Sequence, residues 1–124
     1  MSFVTDPAFV ILHVRDAAAS AAFYADLLGR APVEASPTFA MFALDSGLRL
    51  GLWSAAGVQP PATLPGGSEL GFALESDAAV LACHADWCAR GRAMLQAPTR
   101  MDFGLTFTAS DPDGHRLRVF SPAG

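Results

Sequence analysis

Few side chains in this sequence are equipped for chemistry, and the missing ones already narrow the choice. All eight basic residues are arginines. Without a lysine there is no Schiff base, no pyridoxal phosphate attachment and no P-loop. The two cysteines, Cys83 and Cys88, lie five apart in a helical pattern and so point to different faces. They match neither a CxxC pair nor a zinc spacing and read as reduced thiols without a chemical role. Of the three histidines, His13 stands in an apolar, alternating run, where it could donate to a ligand or act as a general base. A lone strand histidine is more often a structural hydrogen-bonding residue. His84 falls inside a helical segment, at its core edge, and His115 braces a turn. Glu69 and Arg118 are among the charged residues on strand-like segments that could face a site.

Those residues need a frame, and the composition sets its bounds. The 124 residues suit one domain, and 52 % hydrophobic with 16 % charged residues is a globular balance. A formal charge of −4, with no basic run or stripe, argues against nucleic acid or an anionic membrane as partner. No apolar stretch approaches the roughly 20 residues that span a bilayer. The first residues lack the basic and long apolar regions of a signal peptide, so a cytoplasmic location is expected.

Along the chain, Phe9 to Val14 reads as a strand, and Asp16 as the N-cap of a helix from Ala17 to Leu28 that stops at Gly29. Phe23, Tyr24, Leu27 and Leu28 supply its buried stripe. Short strands follow near Pro32–Ala35, Thr38–Leu44 and Leu48–Ser54, with a turn at Asp45-Ser46-Gly47. Residues 55–67, with three prolines and three glycines, read as a linker. The pattern then recurs. Leu70–Leu74 is a strand, Asp77 caps a helix from Ala78 to Arg90, and strands follow near Met94–Gln96, Gly104–Ala109 and His115–Phe120. Val14, Asp16, Gly29 and Gly47 fall on Leu74, Asp77, Gly91 and Gly114, at offsets of 60, 61, 62 and 67. Agreement of order, spacing and punctuation identifies a repeat.

The expected fold is therefore α+β, one domain made of two βαβββ modules in tandem (about 8–54 and about 68–121). Each module has a mixed sheet with one face covered by its helix. Side by side, two such sheets can curl their open faces into a concave cup, so site residues should point away from the helices. Strand alternation puts Phe9, Ile11, His13, Arg15, Arg49, Gly51 and Trp53 on that face in the first module. In the second it puts Glu69, Gly71, Ala73, Arg116, Arg118 and Phe120 there. From the third strand, either Phe39 with Met41 or Phe42 joins them. Met101 and Phe103, in the loop before Gly104, are placed to cover the mouth. Trp87 and Phe72 have the opposite parity and go to the core.

Two strings carry a resemblance. Val14-Arg15-Asp16, Ser20-Ala21-Ala22-Phe23-Tyr24 and Leu28-Gly29 form the first, and Asp111-Pro112-Asp113-Gly114-His115-Arg116-Leu117 the second. At this separation, inside a two-module repeat, they resemble the vicinal-oxygen-chelate superfamily over roughly residues 8–121. That superfamily includes glyoxalase I, extradiol dioxygenases, fosfomycin-resistance thiol transferases and metal-free drug-sequestering proteins. The resemblance implies metal ligands at three positions, which this chain fills with Phe9, Glu69 and Arg118. Phe9 cannot ligate and Arg118 repels a cation, so no metal or other cofactor is expected.

Glu69 and Arg118 could instead pair where the ion would sit, sealing the cup, or Arg118 could grip an acidic or carbonyl group of a ligand. Trp53, Phe9, Phe120, Met41 and Phe103, with His13, Arg118 and Glu69, make up the expected ligand site, suited to a flat hydrophobic molecule. The leading expectation is metal-independent binding and sequestration of such a molecule, by a homodimer and without turnover. A second is a metal-independent lyase or isomerase with His13 or Glu69 as base and Arg118 as anchor. A third is a structural or regulatory dimeric domain whose cup is filled.

Overall fold

The computed structural model describes residues 2–122, which divide into two compact units meeting between Leu64 and Pro65. The first unit runs β1 (Phe9–Val14), α1 (Ala17–Leu28), β2 (Glu34–Ala35), β3 (Phe39–Ala43) and β4 (Arg49–Ser54), then a 3-10 turn at Ala55–Gly57. The second runs β5 (Glu69–Ala73), α2 (Asp77–Ala89), β6 (Ala93–Met101), β7 (Gly104–Ser110) and β8 (Arg116–Pro122). Each is a βαβββ module whose four strands form one mixed sheet, in the orders β1-β4-β3-β2 and β5-β8-β7-β6. In both, the first strand pairs parallel with the last, and the other neighbours are antiparallel. The helix between the first two strands makes that parallel pairing possible, since a parallel crossover needs a dozen or more residues. Among the described residues no helix is long and apolar enough to cross a membrane.

The first helix begins and ends where its capping residues require. The Asp16 carboxylate accepts from the backbone N–H groups of Ala18 and Ala19, and Gly29 closes the helix in the left-handed region at φ 65°. The second helix departs from expectation. Ser76, not Asp77, is its N-cap, with the Ser76 hydroxyl accepting from Ala79 N–H. Asp77 lies in the first turn, and its carboxylate instead takes Arg100 at 2.6 Å and the Ser121 hydroxyl at 2.5 Å. Two adjacent cap-competent residues compete for one site, and the partners on β6 and β8 take Asp77 away.

Alternation sends one side of β1, β3, β4, β7 and β8 to the core. In the first unit Leu12, Val14, Ala40, Phe42, Leu50 and Leu52 are buried with Tyr24 of α1, while Phe23, Leu27 and Leu28 remain half-buried. In the second, Phe107, Ala109, Leu117 and Val119 are buried with Val80 and Trp87 of α2. Trp87 meets Phe72 and Phe107 edge-on, at centroid distances of 6.3 and 5.4 Å. Each aliphatic side chain so buried contributes roughly 1.5–3 kcal/mol.

Strand β6 is longer than its sequence suggests, at nine residues including Pro98. It lies at the sheet edge, and its register against β7 shifts between Met94 and Gln96 and again between Gln96 and Thr99. Pro98 falls in the second gap, where no ladder bond is asked of it. Met101 ends this strand rather than lying in a loop, and Phe103 belongs to the hairpin turn that follows.

Candidate functional site

Register across β3, β4 and β1 lays the open face of the first unit out as a grid. One row is Phe39, Trp53 and His13, directly opposite one another. The next is Met41, Gly51 and Ile11, and the last Ala43, Arg49 and Phe9. Phe42 is fully buried on the other side, so Phe39 with Met41 is the pair that faces out. Trp53 is half-buried, and the His13 ring stands against it edge-on at 6.1 Å. Phe9 and Ile11 are 52 % and 46 % exposed. Trp53, His13, Met41 and Phe9 thus share one apolar, aromatic strand face, with Arg49 at its end.

The equivalent grid of the second unit has a different character. Its rows are Thr106, Phe120 and Ala73; Thr108, Arg118 and Gly71; Ser110, Arg116 and Glu69. Arg118 holds the centre. Its Nε and Nη2 donate to the two oxygens of Glu69 at 2.7 and 2.9 Å, and its Nη1 to Gln96 Oε1 and Thr106 Oγ1, both at 3.2 Å. Four of the five guanidinium N–H groups are therefore spoken for. Thr106 passes its own proton to the Val119 carbonyl, and Thr108 donates to Gln96. Arg116 stands 3.6 Å from Glu69 as a second cation. The hydrogen bonds from Arg118, aided by both positive charges, hold the Glu69 carboxyl below its ordinary range, and Glu69 in turn raises Arg118.

Of the two uses foreseen for Arg118, the geometry shows the ion pair: the Nε–Nη2 edge of its guanidinium lies on both oxygens of Glu69. This pairing also weakens Glu69 as a base, since a carboxylate with a depressed pKa holds protons poorly. Phe120 and Phe103 complete the surroundings: their rings meet edge-on at 5.9 Å, and Arg118 lies 5.9 Å from the Phe103 centroid. Phe103 reaches this spot from the β6–β7 turn.

A divalent metal does not fit the residues present. Both Glu69 oxygens are engaged by Arg118, which itself brings a positive charge where a second donor would be needed. Among the described residues no three of His, Cys, Asp and Glu come together. His84 lies edge-on to Phe107, with Cys88 Sγ 3.4 Å from its Nε2, and His115 N–H donates to Asp111 in the turn. A hollow of about 700 Å³ opens beside Gly66, Gly67, Glu69, His115 and Arg116, with no Phe, Tyr or Trp among its lining residues.

Gln96, Thr106 and Thr108 were not singled out from the sequence. The repeat offset of 67 already placed Thr106 and Thr108 opposite Phe39 and Met41, so their inward parity was available. Gln96 was not within reach, because it follows a register shift.

Comparison with known proteins adds to this geometry. The model of a family described as Glyoxalase/Bleomycin resistance protein/Dioxygenase superfamily matches residues 7–119. The phenazine antibiotic resistance protein EhpR of Enterobacter agglomerans is 29 % identical over 116 residues, covering 91 % of this chain and 89 % of that one. A solution NMR structure of a protein from Agrobacterium tumefaciens is 54 % identical with a TM-score of 0.89, covering 98 % of this chain and all of the other. A glyoxalase-related enzyme from Fulvimarina pelagi is 26 % identical with a TM-score of 0.82, covering 98 % of this chain and 94 % of that one.

Proposed function

The chain belongs to the Glyoxalase/Bleomycin resistance protein/Dioxygenase superfamily, and from that premise we propose that it binds and sequesters a small planar hydrophobic compound, without metal and without turnover. The observation that carries this reading is the aromatic row Phe39, Trp53 and His13 on an open strand face. Three neighbouring rings offer a flat molecule both stacked and edge-on contacts, and ring pairs contribute about 0.5–1.5 kcal/mol each beyond area burial. The superfamily's metal positions hold Phe9, Glu69 and Arg118 here, which favours capture over metal-assisted chemistry. Similarity to a phenazine antibiotic resistance protein supports a resistance role by binding.

The protein acts as a homodimer in this reading. Phe9 is apolar surface that a second chain would cover at the border of the site. The lyase or isomerase reading loses ground because Glu69 is tied to Arg118. Titration with phenazine, followed by tryptophan fluorescence, tests the proposal. Trp53 should be quenched on binding, and a Trp53→Phe variant should leave only the small response of Trp87, which is buried beside Phe107. Quenching that survives Trp53→Phe at full amplitude would place the ligand elsewhere, and turnover of the bound compound would revive the enzyme reading.

A further inference from the structure

Gly51 occupies the centre of the first unit's open face, surrounded on its own sheet by Trp53, Arg49, Met41 and Ile11. A Cβ at this position would lie 3.1 and 3.2 Å from Cζ and Cε1 of Phe39 and 3.4 Å from Cγ1 of Ile11. The tip of the Phe39 ring therefore fills the space an alanine would use. Phe39 is the diagonal neighbour of Gly51 across the β3–β4 pair, within reach of an aromatic ring. Strand glycines weaken a sheet and often mark a close approach, and an aromatic ring laid over one recovers part of the loss. The corresponding centre of the second unit, at the repeat offset of 67, is Arg118, fixed by its four hydrogen bonds. The same grid point is thus closed by a guanidinium in one unit and left without a side chain in the other.

We propose that Gly51 and the Phe39 ring seated on it form the floor of the ligand site, making Gly51 the residue that sets its selectivity for flat, fused-ring aromatics. The proposal rests on the sequestration reading above and specifies where on the face the ring system lies. A flat molecule can touch the Phe39 ring and Ile11 together, whereas a puckered, saturated one meets them unevenly. His13 and Arg49, above and below the central row, are placed to meet polar atoms at the ligand's rim. Gly51→Ala makes the tip of the Phe39 ring give by a few tenths of an ångström and roughens the floor without touching the core leucines on either side of it.

The test is amide and methyl NMR of wild-type protein titrated separately with phenazine and acridine, together with dissociation constants from Trp53 quenching. The Gly51 amide and Met41 methyl should shift with at least one of the two compounds. Gly51→Ala and Phe39→Leu should each weaken that compound by about tenfold, and the double variant should be no weaker than either, because the two act through one contact. If acridine shifts Gly51 but phenazine does not, the phenazine assignment falls and the floor stands. Phenazine quenching Trp53 while the Gly51 amide stays still and Gly51→Ala binds normally overturns the floor and leaves sequestration intact. Failure of both compounds to perturb Gly51 also overturns it. So does a lowered Tm in both variants with dissociation constants unchanged, which is what mere packing would give.

Discussion

Replacing Glu69 with Gln removes the carboxylate while keeping its shape, and leaves the Arg118 guanidinium at the centre of a strand face without its counter-ion. An exposed ion pair contributes about 0–1 kcal/mol, and breaking a buried one costs about 3–5 kcal/mol. The Arg118 and Glu69 side chains are 20 % and 31 % exposed, between those limits. The amide still offers one acceptor, so Glu69→Gln should cost about 1–2 kcal/mol at neutral pH. Arg118→Met should cost less than that, because Glu69 keeps Arg116 and water, and Thr106 keeps the Val119 carbonyl. The double variant should then resemble Arg118→Met alone, giving a coupling energy of about 1–2 kcal/mol in urea unfolding. The pH dependence follows from the direction of the Glu69 shift. Its folded pKa lies below the ordinary value of about 4.3, so its contribution is complete above that value and is lost as pH falls through the folded pKa. The stability gap between wild type and Glu69→Gln should therefore close on acidification. A variant within about 0.3 kcal/mol of wild type at pH 7, or an Arg118→Met loss larger than that of Glu69→Gln, would refute the reasoning.

Gly114 sits at φ 92° with no heavy atom within 4 Å of where a Cβ would stand, so Gly114→Ala should cost about 1 kcal/mol through backbone strain alone, measured as a urea midpoint shift at constant m. Trp53→Ala should destabilise less than Leu117→Ala, whose side chain is fully buried and whose loss should cost about 2–5 kcal/mol; equal losses would make Trp53 a core residue. Chelator should leave Tm unchanged and elemental analysis should find no stoichiometric divalent metal, whereas about one equivalent lost on mutating Glu69 would contradict the donor-set reasoning. Sedimentation at micromolar concentration should return twice the chain mass, and a monomer would remove the proposed homodimer.

The bounds of β1 and α1 were legible because each is punctuated: alternation ends at Val14, and Asp16 and Gly29 mark the helix termini. The parity of β1, β4, β5 and β8 was legible for the same reason, since burial on one face fixes register, whereas on β3 both parities stayed open and only the burial of Phe42 separates them. Asp77 was misassigned because the repeat aligned it with Asp16, while the true equivalent, at the β1-to-β5 offset of 60, is Ser76. The length of β6 was hidden by Pro98, which ordinarily ends a strand and is tolerated here only by an edge position with irregular register. The Glu69–Arg118 contact could be anticipated from facing parity, but its reach to Gln96 and Thr106 depends on rotamers that no spacing encodes.

Pro98 also has a bearing on solubility. A sheet edge presents a row of hydrogen-bonding groups to any passing strand, and a straight, uninterrupted edge invites polymerisation. On β6 that row is broken by two register shifts and by a residue with no N–H to offer. An incoming strand finds no continuous ladder to extend, so the long outer margin of this sheet resists edge-to-edge aggregation even when the protein is abundant.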